Sequence, residues 1–313
     1  MTGLKRGIIG ILIVSSVLGI IALLCVMLRR PGITVSLAGD VFLARGMEDK
    51  ISKYGMDYPY EKVRKIFLDS DISFANLECP LTDAGKPSIK KKIYVFREDG
   101  QNAFALKRAG LDVLSLANNH SMDYGSQGLT DTMNYLKKAG VLYAGAGTNK
   151  EEAHKPLFIS KSGITVGFLS YSEFPPEGYI HFDDKPDVAF LDKESLSNEI
   201  KAAKAMCDWL IVSFHWGKEF SKSSSEAQKS IAHQAVDSGA DFIAGHHPHV
   251  LQEVEEYKNK MIFYSLGNLT FDKTSPEGVD RSAIASITLS KKRMLGCRMI
   301  PIQITDCQAR PVK

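Results

Sequence analysis

Apolar runs recur along the chain, and each of them ends in polar residues. Five are rich in β-branched residues and read, in order, "ITVSLAGD" (33–40), "ISFANLE" (72–78), "VLSLANNH" (113–120), "WLIVSFHWG" (209–217) and "DFIAGHH" (241–247). Strands that are apolar on both faces are typical of sheets covered on both sides. The pattern therefore predicts a layered α/β fold.

Helix signals lie between these strands. Ser126 is placed to cap a helix with an apolar face, and Gly140 is placed to end it. A second helix is predicted to begin with a capping box formed by Ser223 and Glu226 and to end at Gly239. Helices that alternate with buried strands are expected to cover the outer faces of the sheets.

Later segments predict antiparallel pairs. One hairpin is expected to turn near Gly163 and another around Asn259, and the run 284–304 is typical of a further pair of strands. Parallel and antiparallel signals together favour two mixed sheets packed face to face, with helices outside, as a four-layer α-β-β-α sandwich. The proline-containing stretch 172–191 is predicted to be a long loop over the candidate site.

The longest apolar run lies near the start of the chain. Residues 7–28, "GIIGILIVSSVLGIIALLCVML", are 22 residues without a charge, and as a helix they span roughly 30 Å, the thickness of a bilayer's hydrocarbon core. The run exceeds the apolar region of a signal peptide and no A-x-A cleavage site follows it, so we expect an uncleaved signal-anchor. Cys25 suggests a lipoprotein, but the bulky leucine before it argues against that processing. The flanking basic residues are nearly balanced and leave the orientation open.

Composition narrows the remaining possibilities. The chain has 313 residues, 44% hydrophobic and 24% charged, with a net charge of +3, which is ordinary for a globular protein and argues against a nucleic-acid partner. The five cysteines show no C-x-x-C and no zinc spacing. Cys297 and Cys307 are candidates for a disulfide across a terminal hairpin if the domain is extracytoplasmic.

Polar residues at the strand ends indicate where the chemistry lies. They are Asp40; Asn76 and Glu78; Asn118, Asn119 and His120; His215; and His246, His247 and His249. Ligands of α/β folds gather at the carboxyl ends of the strands. Carboxylate and amide oxygens mixed with imidazoles, without a thiolate, predict one or two divalent cations, Mn, Fe or Zn.

The motifs resemble those of the CapA family, the poly-γ-glutamate capsule synthesis proteins, whose domain is similar to calcineurin-like metallophosphoesterases. The matching segments are "GDVFLARG", "FANLECPLTD", "LANNHSMDYG", "GAG", "HWGKEF", "GADFIAGHHPHVLQ" and "YSLGNLTFD". They cover roughly residues 35–272. The resemblance implies a single-pass cell-membrane protein with a cytoplasmic N-terminus (1–6), a membrane helix (7–28), a linker (29–34) and an extracytoplasmic domain (35–313).

The resemblance also assigns roles to individual residues. It implies that the metal ligands are Asp40, Glu78, Asn119, His215, His247 and His249, with Glu78 as the bridging carboxylate. Asp40 and His120 take the catalytic positions, while His246 is expected in an outer shell. Arg45, Asn118 and Asn268 take substrate-binding positions, and Arg45 is expected to grip an anionic group in a bidentate manner.

Two departures from the phosphoesterase pattern leave the activity open. Phe42 occupies the place of a histidine in a D-x-H motif, and N-L-E replaces G-D-x-x-D. Three functions therefore remain: a component of poly-γ-glutamate synthesis or export, a metal-dependent cell-surface hydrolase, and a binding module without turnover. The resemblance implies an anionic polymer such as poly-γ-glutamate, the membrane and other capsule-synthesis membrane proteins as partners.

Overall fold

The computed structural model describes residues 32–87, 94–175, 182–272 and 275–312. Across these ranges, no helix is both long enough and apolar enough to span a membrane. The predicted membrane helix (7–28) and the N-terminus before it (1–6) lie outside the described residues. The first strand begins at Ile33, so the last two residues of the predicted linker (29–34) belong to the sheet.

The strands of the described residues alternate first with helices and later with one another. They are β1 (Ile33–Val41), β2 (Ile72–Leu77), β3 (Val113–Ser115), β4 (Leu142–Ala144), β5 (Ala146–Gly147), β6 (Leu157–Lys161), β7 (Ile164–Ser172), β8 (Asp187–Val188), β9 (Trp209–His215), β10 (Phe242–His246), β11 (Val254–Tyr257), β12 (Lys260–Phe263), β13 (Asn268–Thr270), β14 (Arg281–Leu289), β15 (Met294–Thr305) and β16 (Gln308–Pro311). The α-helices in the same ranges are α1 (Gly46–Tyr54), α2 (Arg64–Leu68), α3 (Asn102–Ala109), α4 (Gly125–Ala139), α5 (Lys150–Ala153), α6 (Leu196–Lys204) and α7 (Glu226–Asp237), and a 3₁₀ turn covers Tyr58–Tyr60.

Both large sheets are mixed. The first has the order β16-β15-β14-β1-β2-β3-β4, and β13 also pairs with β1. In it, β1 runs parallel to β2 and β13 but antiparallel to β14. The second has the order β11-β12-β10-β9-β7-β6, with parallel pairing from β7 through β9 and β10 to β12. Strands β5 and β8 form a small antiparallel pair of their own.

The two sheets pack face to face around an apolar layer. Phe74 of β2 stacks on Phe168 of β7, with ring centroids 5.6 Å apart and planes 9° apart. On the outer face of the first sheet, Leu106 of α3 and Leu129 of α4 lie in a second apolar cluster, and Ile231 of α7 lies in a third cluster on the outer face of the second sheet. The predicted α-β-β-α layering with two mixed sheets is confirmed for the described domain.

Local predictions were correct for the hairpins and less so for the helix starts. The turns at Gly163 and Asn259 connect antiparallel strands, as predicted. Ser126 lies inside α4, whose N-cap is Tyr124, and its hydroxyl is 3.4 Å from the Pro186 carbonyl oxygen. The capping box of α7 is formed by Ser225 with Gln228, not by Ser223 with Glu226, because the chain enters the helix two residues later than predicted. Gly140 ends α4 in the left-handed conformation, as expected.

Two glycines permit the close backbone approach that forms the site. A Cβ at Gly39 would lie 1.9 Å from the Gly267 carbonyl oxygen, and a Cβ at Gly245 would lie 1.9 Å from the Tyr264 carbonyl oxygen. The Asp40 N–H donates to the Gly267 carbonyl at 2.9 Å. Only glycine allows this contact directly before the first polar residue of each strand end.

The candidate disulfide is absent, since Cys297 and Cys307 are both free thiols. Cys297 pairs with Ile287 in the middle of the β14–β15 ladder, whereas Cys307 lies in the turn after β15. Ten residues of mostly extended chain separate the two cysteines along one strand, about 30 Å at 3.3 Å per residue. That distance is far beyond the reach of a disulfide.

Candidate metal centre and adjoining pocket

The carboxyl ends of parallel strands from both sheets meet at one edge, where the predicted ligands lie. Asp40 is near the end of β1, Glu78 directly follows β2, His215 ends β9 and His246 ends β10. The His246 Nδ1 atom lies 3.0 Å from Asp40 Oδ1, so this contact joins the two sheets at their ends. All four side chains are buried.

The ligand atoms form two clusters that share Glu78. The His247 cluster contains Glu78, His215 and His247, and the His249 cluster contains Asp40, Glu78 and His249; within each, the candidate ligand atoms lie within 4.8 Å of one another. Carboxylate oxygens and imidazole nitrogens in this proportion suit Mn, Fe or Zn. The donor set fits one or two divalent cations, with the Glu78 carboxylate placed between both positions.

The two clusters are not equally complete. Asn119 extends the His247 cluster, because its Oδ1 lies 2.9 Å from His215 Nε2, which in turn lies 3.2 Å from His247 Nδ1. Phe42, which stands in the place of a histidine, adds no fourth donor to the His249 cluster. Its ring lies edge-on against Phe96 at 4.8 Å instead.

The histidine segment leaves the strand and forms a turn. Strand β10 ends at His246, and His247 and His249 have φ angles of 93° and 58°. Side-chain alternation along a strand therefore cannot decide which histidines face the ligands. The strained turn does so, because it directs both His247 and His249 to Glu78 while His246 stays in the strand against Asp40.

Asp40 is held on several sides. Asn76 Nδ2 donates to Asp40 Oδ1 at 2.9 Å, and the backbone N–H of His247 donates to Oδ2 at 3.2 Å. Asn118 supports this arrangement from behind, since its Nδ2 donates to Asn76 Oδ1 at 3.0 Å. The role of Asn76 was missed in the sequence, although its position at a strand end was the available signal.

The two predicted substrate-binding asparagines, Asn118 and Asn268, form hydrogen bonds with other residues of the site. The Asn118 Oδ1 accepts from the backbone N–H groups of His120 and Ser121 at 3.1 and 3.0 Å. The Asn268 Oδ1 lies 2.9 Å from His249 Nδ1, and its Nδ2 donates to the His249 carbonyl at 3.0 Å. Both amides orient site residues in this structure, and such contacts fix which ring nitrogen of a histidine ligand faces a metal.

His120 has a carboxylate partner that sequence reasoning missed. Its Nδ1 lies 2.9 Å from Asp123 Oδ2, which also accepts the backbone N–H of Phe96 at 2.8 Å. The imidazole packs on the Phe96 ring at 4.5 Å. The i,i+3 spacing in "HSMD" was the available signal. A carboxylate on one ring nitrogen orients the imidazole for proton transfer through the other.

The electrostatics of the His247 cluster favour neutral imidazoles. Burial, with a further effect of His247, holds the pKa of His215 well below its ordinary value. Burial and the nearby His249 lower the pKa of His247 to about 3. Neutral imidazole is the form that binds a metal.

The electrostatics of the His249 cluster favour a protonated His249 and an ionised Asp40. Burial opposes the charged forms of both residues, but hydrogen bonds from His246 and His249 hold the pKa of Asp40 well below its ordinary value. At His249 burial is outweighed by the charges of Glu78 and Asp40, which raise its pKa to about 9. Two carboxylates around one position are the environment that a divalent cation would stabilise.

A pocket of about 200 Å³ opens beside these clusters. Glu78, His120 and His249 contribute to its wall, together with Arg45 and Phe42. The wall also contains further aromatic rings and one acidic residue: Tyr94, Phe96, Phe220, Phe271 and Glu219. The described part of the loop 172–191 also reaches the centre, where the Phe174 ring lies 4.4 Å from the His247 ring.

Comparison with known proteins identifies the family. The profile described as "Bacterial capsule synthesis protein PGA_cap" matches residues 34–273. The chain belongs to this family. It is 32% identical to the capsule biosynthesis protein CapA of Bacillus anthracis, over 90% of this chain and 69% of the relative. It is 33% identical to the PGA biosynthesis protein CapA of Bacillus subtilis, over 90% and 74% of the two chains.

A solved structure shares the fold of this PGA_cap domain. A putative 5'-nucleotidase from Staphylococcus aureus superposes with a TM-score of 0.52 over 90% of this chain and 54% of that one, at 15% identity. At that identity the similarity concerns the fold alone.

Proposed function

We propose that this PGA_cap protein acts on poly-γ-glutamate during capsule synthesis, through a divalent-metal site held by the His247 and His249 clusters. The proposal extends to this chain the role in capsule and PGA biosynthesis that the names of the two Bacillus relatives give to those proteins. Its partners would be the anionic polymer and other capsule-synthesis membrane proteins. The apolar run 7–28 would anchor it in the membrane, with the domain outside the cell.

One observation carries the metal site: two buried donor clusters share Glu78 at the joined edge of both sheets. Burying carboxylates and several imidazoles together is costly unless they pair or coordinate. Asp40, Glu78 and His249 would hold one cation, and Glu78, Asn119, His215 and His247 the other. Such ions supply Lewis-acid activation of water near neutral pH.

The other residues of the site would position the substrate and move a proton. His120 lines the pocket, and Asp123 fixes its Nδ1, so Nε2 is the atom that would donate a proton to the leaving group. In hydrolysis of a γ-amide, the water oxygen bonds to the carbonyl carbon and the carbon–nitrogen bond breaks. The departing nitrogen takes the proton from His120, and a proton of the water then restores it.

The first experiment measures metal in the full-length chain, purified in detergent. His247→Ala and His249→Ala should each reduce bound Mn or Zn sharply, while His246→Ala should reduce it much less, because His246 contacts Asp40 outside both clusters. His233→Ala is the matched control, since His233 lies on α7 and pairs with Glu255. Equal metal content in His247→Ala, His249→Ala and wild type would refute the site.

A second experiment separates capsule-polymer hydrolysis from the phosphoesterase alternative. Metal-loaded wild type and His120→Gln are incubated with poly-γ-glutamate and with a generic phosphomonoester. We expect wild type to shorten the polymer and His120→Gln to do so at least 100-fold more slowly, a typical loss for a general acid. Cleavage of the phosphoester alone would favour the hydrolase alternative. Binding of the polymer without cleavage would favour a module without turnover.

A further inference from the structure

The pocket beside the metal centre has features that select among anionic groups. We infer that it binds one glutamyl unit of the polymer, with the unit's carboxylate on Arg45 and its methylene carbons against the aromatic wall. This inference rests on the proposed function, because it names the substrate group that the same site recognises.

Arg45 is held in place more firmly than a surface arginine would be. Its Nη2 donates to Asp272 Oδ1 at 2.6 Å, and its guanidinium carbon lies 4.3 Å from the centre of the Phe42 ring. Phe96 and Phe271 lie farther from it, at 5.0 and 5.5 Å. An arginine stacked on rings and pinned at one nitrogen is preorganised to bind a planar anion.

This arrangement has two energetic costs. Arg45 has backbone angles φ 61° and ψ −126°, which residues other than glycine rarely adopt. Its Nε is buried without a hydrogen-bond partner among the described residues. Among those residues the guanidinium donates a hydrogen bond only to Asp272, so most of its donors remain for a ligand.

The lack of a histidine at position 42 follows from the same arrangement. The Phe42 ring, two residues after Asp40, lies under the guanidinium of Arg45 and against Phe96. A side chain turned toward the metal from this position would remove that platform. Phe42 therefore contributes to anion binding in place of contributing a ligand.

Charge and size favour a carboxylate over a phosphate. Arg45 is the only arginine or lysine on the described wall, Asp272 already pairs with it, and Glu78 and Glu219 also face the pocket. A phosphate dianion is usually held by several cationic groups, whereas one guanidinium suffices for a carboxylate. A volume of about 200 Å³ is below that of ordinary ligand pockets, roughly 300–1,000 Å³. It suits one short residue with an apolar stem.

Equilibrium binding to the full-length chain in detergent, with Mn present, tests this inference. The probes are a γ-linked glutamyl trimer and inorganic phosphate, measured by calorimetry. We expect Arg45→Gln to weaken trimer binding roughly 10- to 100-fold, as for loss of a charged hydrogen-bond donor, and to change phosphate binding much less. Arg45→Lys, which keeps the charge but not the planar fork, should restore only part of the affinity.

Arg108→Gln is the matched control, because Arg108 pairs with Asp57 on an exposed surface away from the pocket. Metal content and melting temperature are measured for every variant. Unchanged trimer affinity in a folded, metal-bound Arg45→Gln protein would overturn the inference and leave the metal proposal standing. Arg45-dependent trimer binding in a protein that holds no metal would support the pocket and refute the proposed metal site. Tighter binding of phosphate than of trimer would also overturn the inference.

Discussion

Glu98 provides a quantitative test of the electrostatics of a buried carboxyl group. Its side chain is 8% exposed; Asn102 donates to Oε2 at 3.2 Å, and Oε1 has no hydrogen-bond partner among the described residues. Burial, with the nearby charges of Glu48 and Asp99, raises the pKa of Glu98 from 4.5 to about 8. The folded protein therefore prefers the protonated form more strongly than the unfolded chain does.

The sign of the effect follows from this raised pKa. The contribution of protonated Glu98 to stability is fully present below about pH 4.5 and is lost as the pH rises through 8. Between the two pKa values the unfolded chain has released the proton and the folded chain has not, and each pH unit in that range costs about 1.36 kcal/mol of stability. At pH 7 the lost stability therefore amounts to roughly 3 kcal/mol. Glu98→Gln keeps the shape of the side chain and removes the charge.

We expect Glu98→Gln to be more stable than wild type by about 3 kcal/mol at pH 7 and to match it near pH 4.5. Urea unfolding followed by the fluorescence of the two tryptophans, Trp209 and Trp216, both buried, measures this difference. Glu256→Gln, on an exposed position of β11, is the control and should show no such pH-dependent gain. Parallel stability curves for Glu98→Gln and wild type from pH 5 to 8 would refute the reasoning.

Three further predictions concern the core, the second layer around the metal and the anchor. Phe74→Ala should lower the free energy of unfolding by about 3–5 kcal/mol, because the ring fills the space between the sheets against Phe168; a loss below 1 kcal/mol in urea titrations would contradict this packing. Asn268→Ala should weaken Mn affinity about 10- to 100-fold, because the amide orients His249; unchanged affinity in a metal titration would count against that role. Full-length protein should fractionate with membranes through residues 7–28, and protease added to intact cells should digest the domain. Recovery of the full-length protein in the aqueous phase would argue against the membrane anchor. Protection of the domain from protease would argue against its location outside the cell.

Local sequence patterns can reveal contacts between residues that lie close together in the chain, but not contacts between distant ones. His120 and Asp123 are three residues apart, so their contact leaves a local trace. Arg45 and Asp272 meet across 227 positions, and their pairing depends on β1 lying beside β13. No local pattern could indicate that the Phe42 ring supports the guanidinium of Arg45. The aromatic platform exists only once Phe42, Phe96 and Phe271, which are distant in the chain, come together.

The helix starts show a different limit. Serines at 223 and 225 are both plausible caps, each followed three residues later by a partner side chain. The observed helix starts at Glu226, and the Gln228 side chain is buried and donates an amide hydrogen bond of 3.0 Å to Gln252. A tertiary contact therefore selects one of two locally equivalent caps.

By itself the sequence determined the layered α/β class, the strand ends where chemistry gathers and the residue types suited to divalent cations. These follow from hydrophobic periodicity and from the cost of burying polar groups, both of which act locally. The family resemblance had implied a bridging Glu78 and an outer-shell His246. Only the tertiary structure decided how this is achieved: Glu78 lies between two clusters, a turn directs His247 and His249 to it while His246 stays with Asp40, and Arg45 lies over Phe42. Those arrangements depend on the packing of two sheets and on a strained turn, and packing brings together residues that are far apart in the chain.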